Sequence, residues 1–365
     1  MRRLSWTIPI LIACASDQAA TLDHIRLRAD GSGFEHESSG TRFTPVGFNY
    51  DHNEKGQLLE DYWALNWGDV EEDFREMKAL GANLVRIHLQ FAKFMTTRDS
   101  PSPDALTRLT RLLRLAEETG LYLDVTGLGC YHKADVPAWY DALSEAERWA
   151  AQATFWEAIA ACCKDSPAVF CYDLMNEPVV AGGKKPRTDW LGRDLNGKHF
   201  VQFITRDAHG RPLHEAARAW IGQLVDAIRK HDARHLVTVG MVHWSLKQPG
   251  KLYSGFAPDL VSDQLDFIAV HIYPKKGEGA EALETLQAFD VGKPILIEET
   301  APLKCGVPEW EAFVDASKRI AEGWVGFYWG TSAQEYRAMG GLQNNIRANW
   351  LDSFARTMAK LSGAR

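Results

Sequence analysis

The chain lacks most of the marks that assign a protein at a glance. It has six cysteines in 365 residues, but no CxxC pair and no histidine spacing of the kind that holds zinc. No GxGxxG, and no GxxxxGK followed by Ser or Thr, comes after an early strand. That absence argues against a doubly wound sheet built for nucleotide phosphates. A positive excess is also missing. With 41 Lys and Arg against 48 Asp and Glu, the net charge is −7, the wrong sign for nucleic acid or an anionic membrane surface. There is no repeat, low-complexity tract or linker, so residues 21–365 are expected to form a single domain, and a monomer.

The one early apolar run, residues 4–15, is too short to span a bilayer. It follows Arg2 and Arg3 and reads as an export leader of about residues 1–20. Residues 11–14 (LIAC) fit a lipoprotein-type signal with Cys14 as the lipid-bearing residue, and ordinary cleavage near ACAS or DQAA fits as well. Both imply export, to the periplasm, the bacterial cell envelope or the medium, with no membrane span. Among the other cysteines, Cys162, Cys163 and Cys171 lie in apolar runs and read as core thiols. Cys130 and Cys305 fall in loops, where pairing stays open.

What the chain does have is alternation. After an N-terminal hairpin, strand-like runs begin near residues 45, 84, 121, 169, 236, 266, 294 and 324, and helical patterns separate nearly all of them. Residues 69–81 put Val70, Phe74, Met77 and Leu80 on one face and stop at Gly81. Ser144 and Glu147 form a capping box for a helix reaching about Cys163. Eight strand–helix units in about 320 residues predict a closed (β/α)8 barrel, a TIM barrel with an N-terminal β-hairpin. Thirteen Trp suit a partner with flat apolar faces edged by hydroxyls, although large cores use Trp too.

Active sites of such barrels lie at the C-terminal ends of the strands. Read in order, those ends offer Asn49, then Arg86 and His88, then Asn176 and Glu177, then His271 and Tyr273, then Glu298 and Glu299, then Trp329. Two carboxyl groups facing each other across a sugar are what glycosidic bond cleavage needs, one as proton donor and one ionised. Arg86 is expected to lower the pKa of the carboxylate it touches and so separate the two roles. Strand alternation sends Glu298 and Glu299 to opposite faces, so only one is expected to point inward.

The segments LMNEP, VHIYP, KPILIEET and GFYWG resemble glycoside hydrolase family 5, the cellulase- and mannanase-like barrels, over about residues 41–330. The resemblance implies a retaining enzyme acting on β-linked oligo- or polysaccharides of glucan or mannan type, with no metal or organic cofactor. It implies Glu177 as acid/base, Glu299 rather than Glu298 as nucleophile, and Asn176 on the sugar 2-hydroxyl. Arg86, His271, Tyr273 and Asn49 join the substrate-binding set, with Trp329 as a sugar platform.

Two places depart from the family pattern. Thr300-Ala301 replaces the usual aromatic-Gly, and Thr126 stands where many relatives carry His, with His132 as a substitute six residues on. These departures would suit a non-hydrolytic sugar-binding barrel, while the presence of both carboxylates speaks against one. The 34-residue stretch 179–212 is long for a barrel connection and is expected to wall one side of the cleft. Its basic segment GGKKPRTDW reads as solvated surface.

Overall fold

Short runs of β-branched, aromatic and small residues, buried on both faces, make the strands of a parallel barrel. The computed structural model describes residues 22–182 and 185–363; the leader and Cys14 lie outside the described residues. The barrel strands are Val46–Tyr50, Leu84–Gln90, Tyr122–Gly129, Val169–Asp173, a fifth in two pieces (Leu236–Thr238 and Gly240–Val242), Ile268–His271, Ile295–Thr300 and Gly323–Gly326. All pair in parallel in sequence order, and the eighth pairs with the first. The fifth strand breaks at Val239. Its first piece pairs with the fourth strand and its second with the sixth, which closes the barrel.

The helices between strands end where the sequence says they should. Ser144 accepts from the Glu147 amide, and Glu147 reaches back to the Ser144 amide at 3.0 Å. Helix Pro103–Thr119 stops at Gly120, whose φ of 68° suits glycine. Between strands five and six the helix is reduced to Pro258–Val261. No described helix is long and apolar enough to cross a membrane.

The N-terminal hairpin carries a third strand: Ile25–Leu27, Phe34–His36 and Arg42–Phe43 form an antiparallel sheet. Its Ile25, Phe34 and Phe43 pack on Leu84, Tyr122, Phe170, Leu236, Phe267 and Leu296. These residues sit at or near the starts of barrel strands, so the sheet seals the barrel floor and leaves the opposite end for chemistry. All five described cysteines are free thiols, Cys130 and Cys305 included.

Candidate active site

Arg86 organises the barrel interior. Register places it between Asn49 on strand one and Asp124 on strand three, with no exposed surface. One guanidinium nitrogen, Nη1, donates to Asn49 Oδ1 (2.9 Å) and Glu299 Oε1 (2.8 Å). The other, Nη2, donates to Asp173 Oδ2 (2.7 Å) and Asn176 Oδ1 (3.0 Å), and lies 3.3 Å from Glu298 Oε2. A fully buried cation survives only with such partners.

Both strand-seven glutamates face inward, against the expectation from alternation. Three steps along strand seven, Ile297 to Thr300, match two along strand eight, Trp324 to Gly326. Against strand six, Ile297 and Glu299 pair with the adjacent residues Val270 and His271. The extra residue is a β-bulge, which breaks the two-residue period and re-aims a side chain. Thr300 then turns outward, where its hydroxyl accepts from the Trp310 indole of the following helix at 3.0 Å.

His271 joins three carboxylates. Its Nδ1 lies 3.0 Å from Glu177 and 3.4 Å from Glu299, and its Nε2 lies 3.1 Å from Glu298. Burial alone would lower its pKa. The Glu299 charge and the contacts to Glu177 and Glu298 outweigh that and push it up to about 10. Gly240 on strand five leaves room for this junction: a Cβ there would sit 3.2 Å from both Glu298 Oε2 and His271 Nε2. The Gly240 amide donates to Asp173 at 2.8 Å.

Burial raises the Glu299 carboxyl and the nearby Glu177 charge adds to it. His271, Arg86 and the Tyr273 hydroxyl, which donates to Glu299 at 2.6 Å, pull it down. The net direction is upward. Arg86 was expected to depress this group, but its charge is divided among several acids. Burial would raise Glu298 as well, yet Arg86 and His271 prevail and hold it below the ordinary carboxylate value. Asp124, by contrast, is pushed well up by burial and by the Glu298 charge.

Glu177 sits where strand four gives way to Pro178, at φ 45°, a left-handed conformation that costs a non-glycine residue roughly 1–2 kcal/mol. The chain beyond holds it there. Pro178–Val179 pairs with Gln202–Phe203, and the Gln202 amide reaches the Glu177 carbonyl. The Glu177 side chain is 18% exposed and lines the cleft. Oxygens of Glu177 and Glu299 lie within 4.8 Å of each other.

Glu177, His271 and Glu299 are also the one set among the described residues whose donor atoms could surround a metal ion. Both ring nitrogens of His271 already face carboxylates, and the ring is protonated at neutral pH, so a metal would first have to displace that proton.

Two expected contact residues lie elsewhere. Asn49 is fully buried, with its amide donating to the Glu298 carbonyl (2.9 Å) and its oxygen shared by Arg86 and His88, so it positions Arg86 and does not reach the cleft. Trp329 is not a platform. It is fully buried against Phe48, and its indole N–H donates to Asp73 at 2.7 Å. Strand eight ends at Gly326, so the residue that reaches the cleft is Phe327. His132 does not stand in for the missing strand-three histidine, since it faces the Gly197 carbonyl at the surface. Tyr131 instead places its hydroxyl 2.5 Å from His88 Nδ1. Burial, aided by the Arg86 charge, keeps His88 neutral.

The open space above these groups forms two cavities, of about 430 and 650 Å³. The smaller holds Glu177, His271, Tyr273 and Glu299; the larger is lined by residues following strands one, four, seven and eight. Leu195, Phe200, Leu303 and Phe327 belong to both. Leu195 and Phe200 come from the long connection after strand four.

The cellulase family, glycosyl hydrolase family 5, matches residues 39–333. The chain belongs to that family. It is therefore a glycoside hydrolase. No curated protein sequence matches it. Among solved structures, it is similar to the exo-β-1,4-mannosidase Op5Man5 of Opitutaceae bacterium strain TAV5 (17% identity, TM-score 0.63), covering 92% of this chain but only 62% of that one. A GH5_18 protein of Streptomyces cattleya, solved with GlcNAc, gives 17% identity and a TM-score of 0.65, with 89% and 82% covered. An endo-1,4-β-mannanase of Rhizomucor miehei gives 18% and 0.63, with 93% and 100% covered. At these identities the likeness speaks for the fold.

Proposed function

We propose that this family 5 member is a retaining β-glycosidase using Glu177 as acid/base and Glu299 as nucleophile. The observation that carries the reading is the approach of the two carboxylates to within 4.8 Å. Retaining pairs stand about 5–5.5 Å apart, whereas inverting pairs need about 6.5–9.5 Å to seat a water between them. In the first step Glu299 attacks the anomeric carbon while Glu177 gives its proton to the departing oxygen. In the second, Glu177 takes a proton from water, which frees the sugar from Glu299.

Tyr273 and Arg86 each hold one oxygen of Glu299 and fix its line of attack. Asn176 spends one amide hydrogen on the Phe200 carbonyl and keeps the other for a sugar hydroxyl. The substrates proposed are β-linked chains of gluco or manno configuration, met outside the cytoplasm if the N-terminal run acts as a leader. Incubation with 2-deoxy-2-fluoro β-glycosides of both series tests this. Mass spectrometry should find the sugar on the peptide carrying Glu299. Inverted product anomers by NMR, with no adduct, would overturn the mechanism.

A further inference from the structure

The larger cavity differs in charge from the catalytic one. The catalytic cavity is lined by four glutamates, Glu177, Glu278, Glu281 and Glu299, beside Lys275, Lys304, His243 and His271. The larger one is lined by Lys55, Lys198, Arg347 and His52, with Glu54 as its one acid. Lys55 lies 3.5 Å from Glu54, and His52 lies 2.7 Å from the buried Asp51. Lys198 and Arg347 remain.

Lys198 is only 6% exposed, yet its ammonium makes no hydrogen bond or salt bridge to a described residue. Asp51 and Asp194 are near enough to feel its charge but not to pair with it. Among the described residues Arg347 also has no acid within salt-bridge distance; its guanidinium lies 5.8 Å from the Tyr328 ring centre and 5.5 Å from that of Tyr336. Two cations with no ion-paired carboxylate among the described residues, one of them largely buried, lining a cavity in a chain of net charge −7, form a site for an anion.

We propose that this cavity binds a sugar unit bearing an anionic substituent, carboxylate or sulfate, next to the unit whose bond is cut. The inference rests on the glycosidase reading above and narrows its substrate to acidic chains. The cavity is walled by the segments after strands one, four, seven and eight, and the strand-one segment lines this cavity alone. Glu177 protonates the leaving unit, and the cleft beside it has walls of its own in the segments after strands five and six. The larger cavity takes no wall from those two segments, which puts the acidic unit on the non-reducing side of the cut.

The test compares aryl β-1,4-disaccharides of the gluco and manno series whose outer unit carries a C6 hydroxyl, carboxylate or sulfate. The wild type should favour one of the acidic arms over the neutral one in kcat/KM by roughly 10- to 100-fold, and the advantage should shrink with added salt. The arm that wins identifies the anion. Lys198→Met and Arg347→Met should each reduce the ratio, and Lys198→Arg should restore most of it; Arg347, partly exposed, tests the idea if Lys198→Met does not fold. Cleavage of the neutral arm with no acidic preference would overturn this inference and leave the glycosidase reading intact. If no disaccharide is cleaved, the glycosidase reading fails and calorimetry decides the inference. Tighter binding of an acidic disaccharide by the wild type than by Arg347→Met upholds it, and equal binding sinks it.

Discussion

Arg86 and Glu299 meet at 2.8 Å inside the barrel, and the same guanidinium reaches Asp173 at 2.7 Å with its other nitrogen. The arginine is therefore a shared counter-charge, and removing any one of its acids changes what the others feel.

The two catalytic glutamates should fail differently. Glu177→Ala should lower turnover of unactivated substrates by about 100- to 10,000-fold, while a dinitrophenyl glycoside, which needs little protonation, still loads the enzyme. The trapped intermediate should then be released by azide. Glu299→Ala should turn over nothing by retention, with or without azide. Rescue of Glu299→Ala with a retained product would contradict the assignment.

Because the bulge brings Glu298 inward, its substitution is a sharper test than alternation implied. Glu298→Gln should lower kcat by loosening His271, yet fluorosugar labelling should still fall on Glu299. Loss of labelling in Glu298→Gln, with labelling retained in Glu299→Gln, would move the nucleophile by one residue.

The pH profile follows from the direction of the Glu299 shift. A nucleophile must be ionised, and its pKa is raised above the ordinary 4.5. Activity should thus be lost as pH falls, beginning at higher pH than a free carboxylate would give. His271→Gln removes a positive charge that stabilises the ionised form, so the acid limb of kcat/KM should move up by about one pH unit. An unmoved limb would show that His271 is not charged there.

Phe327 and Trp329 should separate binding from stability. Phe327→Ala should raise KM for long substrates with little change in melting. Trp329→Phe removes the donor to a buried carboxyl and should cost about 1–3 kcal/mol of stability with KM unchanged. The reverse pattern would restore Trp329 as the platform.

Asp73, which accepts from Tyr50 and Trp329, is raised by burial from 3.8 to about 7. Between those values the folded state holds a proton that the unfolded state has lost. Its contribution to stability therefore falls as pH rises from about 4 to 7 and is level above that. Melting temperatures of Asp73→Asn should decline less over that range than those of the wild type.

Strand and helix positions were legible because they rest on local chemistry, such as the Ser144–Glu147 box, Gly120 at a helix end, and apolar runs of strand length. Glu177, Glu299, Arg86, His271 and Tyr273 were legible as a group because barrel topology gathers strand ends. The rest depends on neighbours that a sequence does not display. The bulge at Glu298 exists only relative to strands six and eight. Phe327 replaces Trp329 because strand eight stops one residue before it. Asp173 and Gly240 looked like ordinary strand residues, and only the buried Arg86 and His271 give them a purpose.

The three-stranded sheet on the barrel floor also sets which way the molecule faces. The described residues start beside Asp23, whose carbonyl accepts from Tyr122 at that floor, at the far end from Glu177 and Glu299. A support, fusion partner or lipid joined ahead of residue 22 would therefore hold the protein by its base and leave the mouth turned outward, open to chains too large to diffuse to it.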